Sequence, residues 1–103
     1  MKFQIPNNLT RRPEQILRKA GYFYIFDRIS QQGSFVKKLR HQHYPRFHLY
    51  VTENDAEIIF DLHLDQSASR YKGQNAHNAD YKSEEVRTEL TRIYYLINEF
   101  IIK

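Results

Sequence analysis

Residues 46–52, RFHLYVT, and residues 57–65, EIIFDLHLD, decide the fold, because apolar and polar side chains alternate in both. This period of two predicts β-strands with one buried face. Asn54 and Asp55 are typical of a two-residue hairpin turn between them. The expected core face of this hairpin carries Phe47, Leu49, Val51, Phe60, Leu62 and Leu64.

The turn also predicts which side chains meet on the opposite, polar face. With Asn54 and Asp55 as the loop, His48 lies opposite Asp61 and Arg46 lies opposite His63. Asp65 follows two positions later on the same strand and points the same way. We therefore expect the polar face to gather imidazole and carboxylate groups.

The flanking sequence completes the predicted sheet. Residues 22–29 and 34–40 are rich in aromatic and β-branched residues, which indicates a second hairpin. An apolar stripe predicts a helix over about 11–20, which Gly21 is well placed to end with a positive φ. A longer stripe predicts a long C-terminal helix, with Ser83 as its N-terminal cap.

These elements predict a single α+β domain over residues 1–103, in the order α-β-β-β-β-α. The simplest arrangement is a four-stranded antiparallel meander with both helices on one face. Residues 1–10 are expected to form an irregular arm. Residues 66–82 are expected to form a long polar loop, of a length that is usually functional or mobile.

Charge is divided unevenly between the two halves of the chain. Residues 1–50 contain ten basic and two acidic residues, a net charge of +8, whereas residues 51–103 contain six basic and ten acidic residues, a net charge of −4. A basic half attracts anionic partners, of which nucleic acid is the commonest. RNA binding through the basic half and the open sheet face is therefore the leading hypothesis. Its candidate residues are Arg11, Arg12, Arg18, Lys19, Lys37, Lys38, Arg40 and Arg46.

The polar face of the hairpin supports a second hypothesis, a metal-dependent hydrolase acting on phosphate esters. Imidazole and carboxylate groups bind zinc or manganese, and an open coordination position would allow hydrolysis. A histidine–aspartate pair also serves as a general base without metal. The alternative is that this is a solvated outer face whose histidines and carboxylates serve only solubility. The candidate ligands are His48, Asp61, His63 and Asp65, with His77 from the long loop.

Two stretches of the chain resemble known families. The segment YPRFHLY at residues 44–50, with LHLDQ at residues 62–66 and Ala76-His77, resembles small bacterial proteins of about this length with no assigned activity. The resemblance spans roughly residues 13–100 and implies a family without a mechanism.

A shorter resemblance, covering about a quarter of the chain, is to HicA-type toxins. It is carried by ILRKAGY at residues 16–22 and by Gly33-Ser34. The resemblance implies a double-stranded-RNA-binding-like fold and mRNA cleavage. In that family a catalytic histidine follows the Gly-Ser pair. Phe35 stands in that place here, so no catalytic residue is transferred.

Composition limits the remaining possibilities. The chain has no cysteine, which excludes disulfides and thiolate metal sites. No apolar run is long enough for a signal peptide or a membrane span, so we expect a cytoplasmic protein without a membrane partner. The apolar end of the last helix suggests a third hypothesis, an interaction protein that forms homodimers through Phe100, Ile101 and Ile102.

Overall fold

The computed structural model describes residues 1–66, 79–80 and 83–102. Within these residues the chain forms one antiparallel sheet and two helices, which confirms the predicted α+β class. In chain order the elements are β1 (Lys2–Pro6), α1 (Pro13–Lys19), β2 (Phe23–Asp27), β3 (Gln32–Lys38), β4 (Arg46–Glu53), β5 (Glu57–Asp65), β6 (Ala79–Asp80) and α2 (Glu84–Asn98).

The sheet is larger than predicted because the chain begins with a strand. The strands lie in the order β1-β5-β4-β3-β2, and β6 pairs with the end of β5 beyond β1. The predicted meander is present as β2 to β5, but the four-stranded sheet and the order α-β-β-β-β-α are wrong. Residues 2–6, expected in an irregular arm, form β1. This strand provides partners for backbone groups along the outer side of β5 and buries Ile5 in the core.

The predicted polar loop at residues 66–82 falls mostly outside the described residues. Within that range, Ala79–Asp80 forms β6, which pairs with Leu64 and Asp65 at the end of β5. The segment is therefore not irregular throughout, and it returns to the part of β5 that carries the polar face.

Both helices have clear end signals. Pro13 occupies the first turn of α1, where its missing N–H is tolerated. Gly21 follows α1 with a φ of +98°, a left-handed conformation that favours glycine. Ser83 precedes α2, and its hydroxyl accepts a hydrogen bond from the Val86 N–H at 3.2 Å. The caps predicted at Gly21 and Ser83 are confirmed, although α1 is shorter than the predicted helix.

The predicted division of the central hairpin into an apolar and a polar face is also confirmed. The apolar face of β4 and β5 packs against buried side chains of both helices, including Leu17 and Ile93. Phe47, Leu49, Phe60, Leu62 and Leu64 are all buried, and Val51 is partly buried against them. The opposite face carries the imidazole and carboxylate groups.

The predicted register of this hairpin is wrong by two residues. The backbone N–H of Asn54 donates a hydrogen bond to the carbonyl oxygen of Glu57 at 3.0 Å, so the two-residue loop is Asp55-Ala56. The Asn54 side-chain oxygen accepts hydrogen bonds from the backbone N–H groups of Ala56 and Glu57, at 2.8 and 2.9 Å. Asparagine therefore occupies the first position of the turn, which its side chain favours. A shift of two residues changes every cross-strand pair but leaves each side chain on its predicted face.

The apolar segment after α2 packs largely within the chain. Phe100 and Ile101 are partly buried against the core, and Ile101 forms a β-bridge with Leu9. Ile102 is exposed. Homodimer formation through these three residues stays a prediction. Two of the three side chains, those of Phe100 and Ile101, pack against the core of their own subunit. No helix among the described residues is both long and apolar enough to cross a membrane.

Candidate metal centre

Strands β4 and β5 bring two histidines and one aspartate together on the polar face. His48 lies directly opposite His63, and Arg46 lies directly opposite Asp65. Because Asp65 is two residues after His63, its side chain points to the same side of β5. The observed register therefore corrects the predicted pairs, which placed His48 opposite Asp61 and Arg46 opposite His63.

The Asp65 carboxylate lies between the two imidazole rings. Its Oδ2 atom is 2.9 Å from His48 Nδ1, and its Oδ1 atom is 2.7 Å from His63 Nε2. Arg46 donates a hydrogen bond from Nε to Oδ2 at 3.3 Å. One carboxylate thus joins two imidazoles and one guanidinium, all extending from neighbouring strands.

Ser34 on β3 completes the cluster on its far side. Its Oγ atom is 2.7 Å from His48 Nε2, so both ring nitrogens of His48 have partners. The His48 ring can donate from Nδ1 to Asp65 and accept from the Ser34 hydroxyl, or it can donate from Nε2 to Ser34 and present the Nδ1 lone pair towards Asp65. The first arrangement satisfies both contacts without an ion, and the second is the one that metal binding requires. Two lone pairs at 2.9 Å need a proton or a metal ion between them. A metal-binding histidine usually donates its second N–H to such an oxygen, which fixes its tautomer.

The cluster is shielded from solvent even though it lies on the face opposite the helices. The His63 side chain is 8% exposed, that of His48 is 12% and that of Asp65 is 17%. The rings of His48 and Tyr50 stack with centroids 4.6 Å apart. This shielding strengthens electrostatic interactions between the groups.

The environment of Asp65 keeps its carboxyl group ionised. Burial raises its pKa, but hydrogen bonds with His48 and His63, and electrostatic attraction to these two side chains, lower it more. The pKa therefore lies well below its ordinary value of 3.8. An ionised carboxylate is the form that binds a cation.

The donor atoms meet the first requirement for a metal centre. One ligand atom each from His48, His63 and Asp65 lies within 4.8 Å of the others. Ligand atoms around a zinc or manganese ion are separated by roughly 3.0–3.5 Å, because each bond is about 2.1 Å long. Side-chain movements of about an ångström would therefore enclose an ion. Two imidazoles and one carboxylate suit zinc, manganese or iron.

The contacts from Ser34 through His48 to Asp65 also follow the order of a serine-hydrolase triad. Two features argue against that use. The Ser34 residue is only 5% exposed, which leaves little room for a substrate carbonyl. The carboxylate also contacts a second imidazole, from His63, which a triad does not require. Ser34 is therefore better placed to orient His48 than to attack a substrate.

Of the other predicted metal ligands, Asp61 does not join this cluster. Asp61 lies on the same face opposite Tyr50, and its carboxylate is 3.6 Å from the amino group of Met1. His77 lies outside the described residues. Among the described residues, the potential metal-binding group consists of His48, His63 and Asp65.

The predicted RNA-binding residues are distributed over several surfaces. Arg11, Arg12, Arg18 and Lys19 are exposed around α1, and Arg40 is exposed in the connection between β3 and β4. Lys37 faces the helices, with its Nζ atom 5.9 Å from the centre of the Phe47 ring. Lys38 and Arg46 lie opposite each other on the polar face. Only these last two are on the face that carries the metal-binding group.

Comparison of the chain with family models, curated proteins and solved structures finds no match in any of the three. The resemblances to a small bacterial family and to HicA-type toxins therefore stay predictions.

Proposed function

We propose that this protein is a metal-dependent hydrolase whose divalent ion is held by His48, His63 and Asp65. The observation that carries the proposal is the position of the Asp65 carboxylate, 2.9 Å from one imidazole nitrogen and 2.7 Å from another. Three protein ligands leave a coordination position for water, which is the arrangement of catalytic zinc sites.

The chemistry follows from the roles of the surrounding groups. A bound ion would lower the pKa of a water molecule and so supply a nucleophile near neutral pH. Ser34 holds the His48 ring in orientation, and Arg46 restrains the Asp65 carboxylate. In hydrolysis, the water oxygen bonds to the electrophilic atom of the substrate, and the leaving group departs with a proton.

Metal binding is the first experimental test. Protein purified without a histidine tag should contain zinc or manganese, or bind either ion stoichiometrically after removal of metal. His48→Ala and His63→Ala should each abolish tight binding. His41→Ala and His43→Ala are matched controls, because both residues are exposed in the connection before β4 and should be dispensable. Less than about a tenth of an equivalent bound by the parent, without stabilisation by added ion, would overturn the proposal.

Hydrolysis is the second test. The metal-loaded parent should cleave at least one of p-nitrophenyl acetate, p-nitrophenyl phosphate and bis(p-nitrophenyl) phosphate, and a chelator should abolish that cleavage. Ser34→Ala separates the two interpretations of the serine. It should retain measurable activity if the serine only orients His48, and should lose the acyl-enzyme burst with the acetate if the serine is the nucleophile.

RNA binding is a second candidate, favoured by the four exposed basic residues around α1. We propose as its test fluorescence anisotropy with single- and double-stranded RNA. Binding should weaken steeply with salt, because phosphate contacts release counterions. A variant with Arg18→Ala and Lys19→Ala should bind more weakly than the parent. Absence of binding at low salt, or binding indifferent to salt, would contradict this candidate.

A further inference from the structure

A pair of like charges lies beside the proposed metal centre. Lys38 on β3 is directly opposite Arg46 on β4, and Arg46 is directly opposite Asp65 on β5. Like charges in directly opposed positions destabilise a sheet. Arg46 is partly compensated by its contact with Asp65. The side chain of Lys38 is exposed and forms no hydrogen bond or ion pair with the described residues.

The charges of Lys38, Arg46 and Asp65 together favour the binding of an anion. Among the side chains that the structure describes here, Arg46 and Lys38 contribute two positive charges against the one negative charge of Asp65, and a divalent ion would raise the sum of these from +1 to +3. The negative charge of Asp61 is directed elsewhere, towards the amino group of Met1 at 3.6 Å. Such a concentration of charge attracts and orients anionic substrates.

The position of Lys38 also suits contact with a group bound at the centre. Two strand spacings separate it from Asp65, a distance of about 10 Å between backbones. A lysine stem of four methylene groups covers much of that distance and carries a compact ammonium with three donors. Its side chain is exposed on the same face as the shielded cluster.

We infer that the substrate of the proposed hydrolase is a phosphate ester, and that Lys38 binds its phosphoryl oxygens beside the metal ion. This inference rests on the proposed function. Lys38 acts as a substrate-binding residue and does not contribute to metal binding. The chain contains a matched control in the adjacent Lys37, whose side chain extends over Phe47 on the helix side of the sheet.

The first measurement is calorimetric titration of inorganic phosphate into zinc-loaded protein freed of excess metal. The parent should bind phosphate, Lys38→Ala should bind it at least about tenfold more weakly, and Lys37→Ala should stay within about twofold of the parent. All three proteins should bind zinc equally. Equal weakening of phosphate binding by both substitutions, or no weakening by either, would overturn the role of Lys38.

The second measurement identifies the source of the phosphoryl group. Lys38→Ala should raise the KM of the phosphate substrates while leaving p-nitrophenyl acetate cleavage within about twofold of the parent. Preference for the diester would indicate a nucleic-acid-like backbone, and preference for the monoester a small metabolite. If zinc binds but neither phosphate nor a phosphate ester does, this inference fails while the proposed metal site stands. If zinc does not bind, the proposed function itself fails.

Discussion

Two shielded carboxylates, Asp65 and Glu89, lie on opposite sides of the sheet and have different partners. Glu89 on α2 accepts hydrogen bonds from Arg92 at 2.8 and 2.9 Å, and from the Tyr22 hydroxyl at 2.6 Å. Asp65 contacts two imidazoles and more distantly one guanidinium. Arginine stays charged and cannot bind a metal ion, whereas imidazole can exchange a proton for one.

The difference separates a structural network from a candidate functional site. Arg92 also donates to the Ala20 carbonyl oxygen at 2.8 Å, so the Glu89 network joins α2 to the end of α1. Burial raises the pKa of Glu89, but hydrogen bonds from Arg92 and Tyr22 lower it more, and the net pKa lies below its ordinary value. The described partners of Glu89 thus link elements of the fold, whereas two of the three partners of Asp65 are imidazoles, which we propose as metal ligands.

The largest expected effect is on metal binding at the Asp65 side. Replacing both His48 and His63 by alanine should weaken zinc binding by at least about a thousandfold, because two of the three protein ligands are lost. Zinc at about a hundred times its dissociation constant should stabilise the parent by about 2.7 kcal/mol and the double variant not at all. Calorimetry and thermal unfolding measure the two effects. Persistent zinc stabilisation of the double variant would contradict the site.

A substitution at Glu89 should lower the stability of the fold and leave metal binding intact. Glu89→Gln leaves Arg92 without its ion pair and should lower the free energy of unfolding by about 2 kcal/mol. Urea denaturation measures the loss, and Glu85→Gln, at an exposed position on the same helix, is the control. Zinc affinity should match that of the parent. A large loss of zinc affinity would show that the two networks are coupled.

Ser34→Ala tests whether the serine supports His48. It should weaken zinc binding about tenfold, because the imidazole loses the partner that fixes its orientation. Restoration of affinity by Ser34→Thr, which keeps a hydroxyl, would separate this role from a packing defect. Unchanged affinity in the alanine variant would contradict the role assigned to Ser34.

The smallest expected effect concerns Tyr22. Burial raises the pKa of Tyr22, and the hydrogen bond to Glu89 raises it further, far above its ordinary value of 10.0. The folded protein therefore keeps a proton that the unfolded chain releases above about pH 10, and parent stability should fall by about 1.4 kcal/mol per pH unit there through this group. Tyr22→Phe should cost about 1 kcal/mol at neutral pH.

The difference in stability between parent and Tyr22→Phe, measured by urea denaturation, should shrink as pH rises above 10. This comparison cancels the contribution of the other tyrosines. A difference that is constant across the alkaline range would show that Tyr22 titrates normally and that its network with Glu89 is not closed.

The sequence predicted the faces of the central hairpin better than its pairing. Alternation depends only on whether a position is odd or even, so moving the loop from Asn54-Asp55 to Asp55-Ala56 changed no face. The exact pairs depended on one side chain, since Asn54 caps the turn through its own oxygen. Three of the five predicted metal ligands were therefore brought together although each predicted cross-strand pair was wrong.

Ser34 and β1 could not be predicted in the same way. Ser34 reaches His48 across the β3–β4 pair, but the seven residues between these strands do not fix a register. β1 has only Phe3 and Ile5 as an alternating signal before Pro6, and its partner β5 is distant in sequence. The one available hint of the Glu89 network was a carboxylate beside the apolar stripe of α2.

The most direct test of the account is an NMR measurement of the histidine ring nitrogens with and without zinc. Metal binding at the proposed centre predicts large ¹⁵N shifts at His48 Nδ1 and His63 Nε2, with Nε2 of zinc-bound His48 protonated towards Ser34. His41 and His43 should keep their metal-free spectra. Shifts confined to those two histidines, or no shift at His48 and His63 when zinc is saturating, would contradict the claim that Asp65 and its two imidazoles form a metal centre.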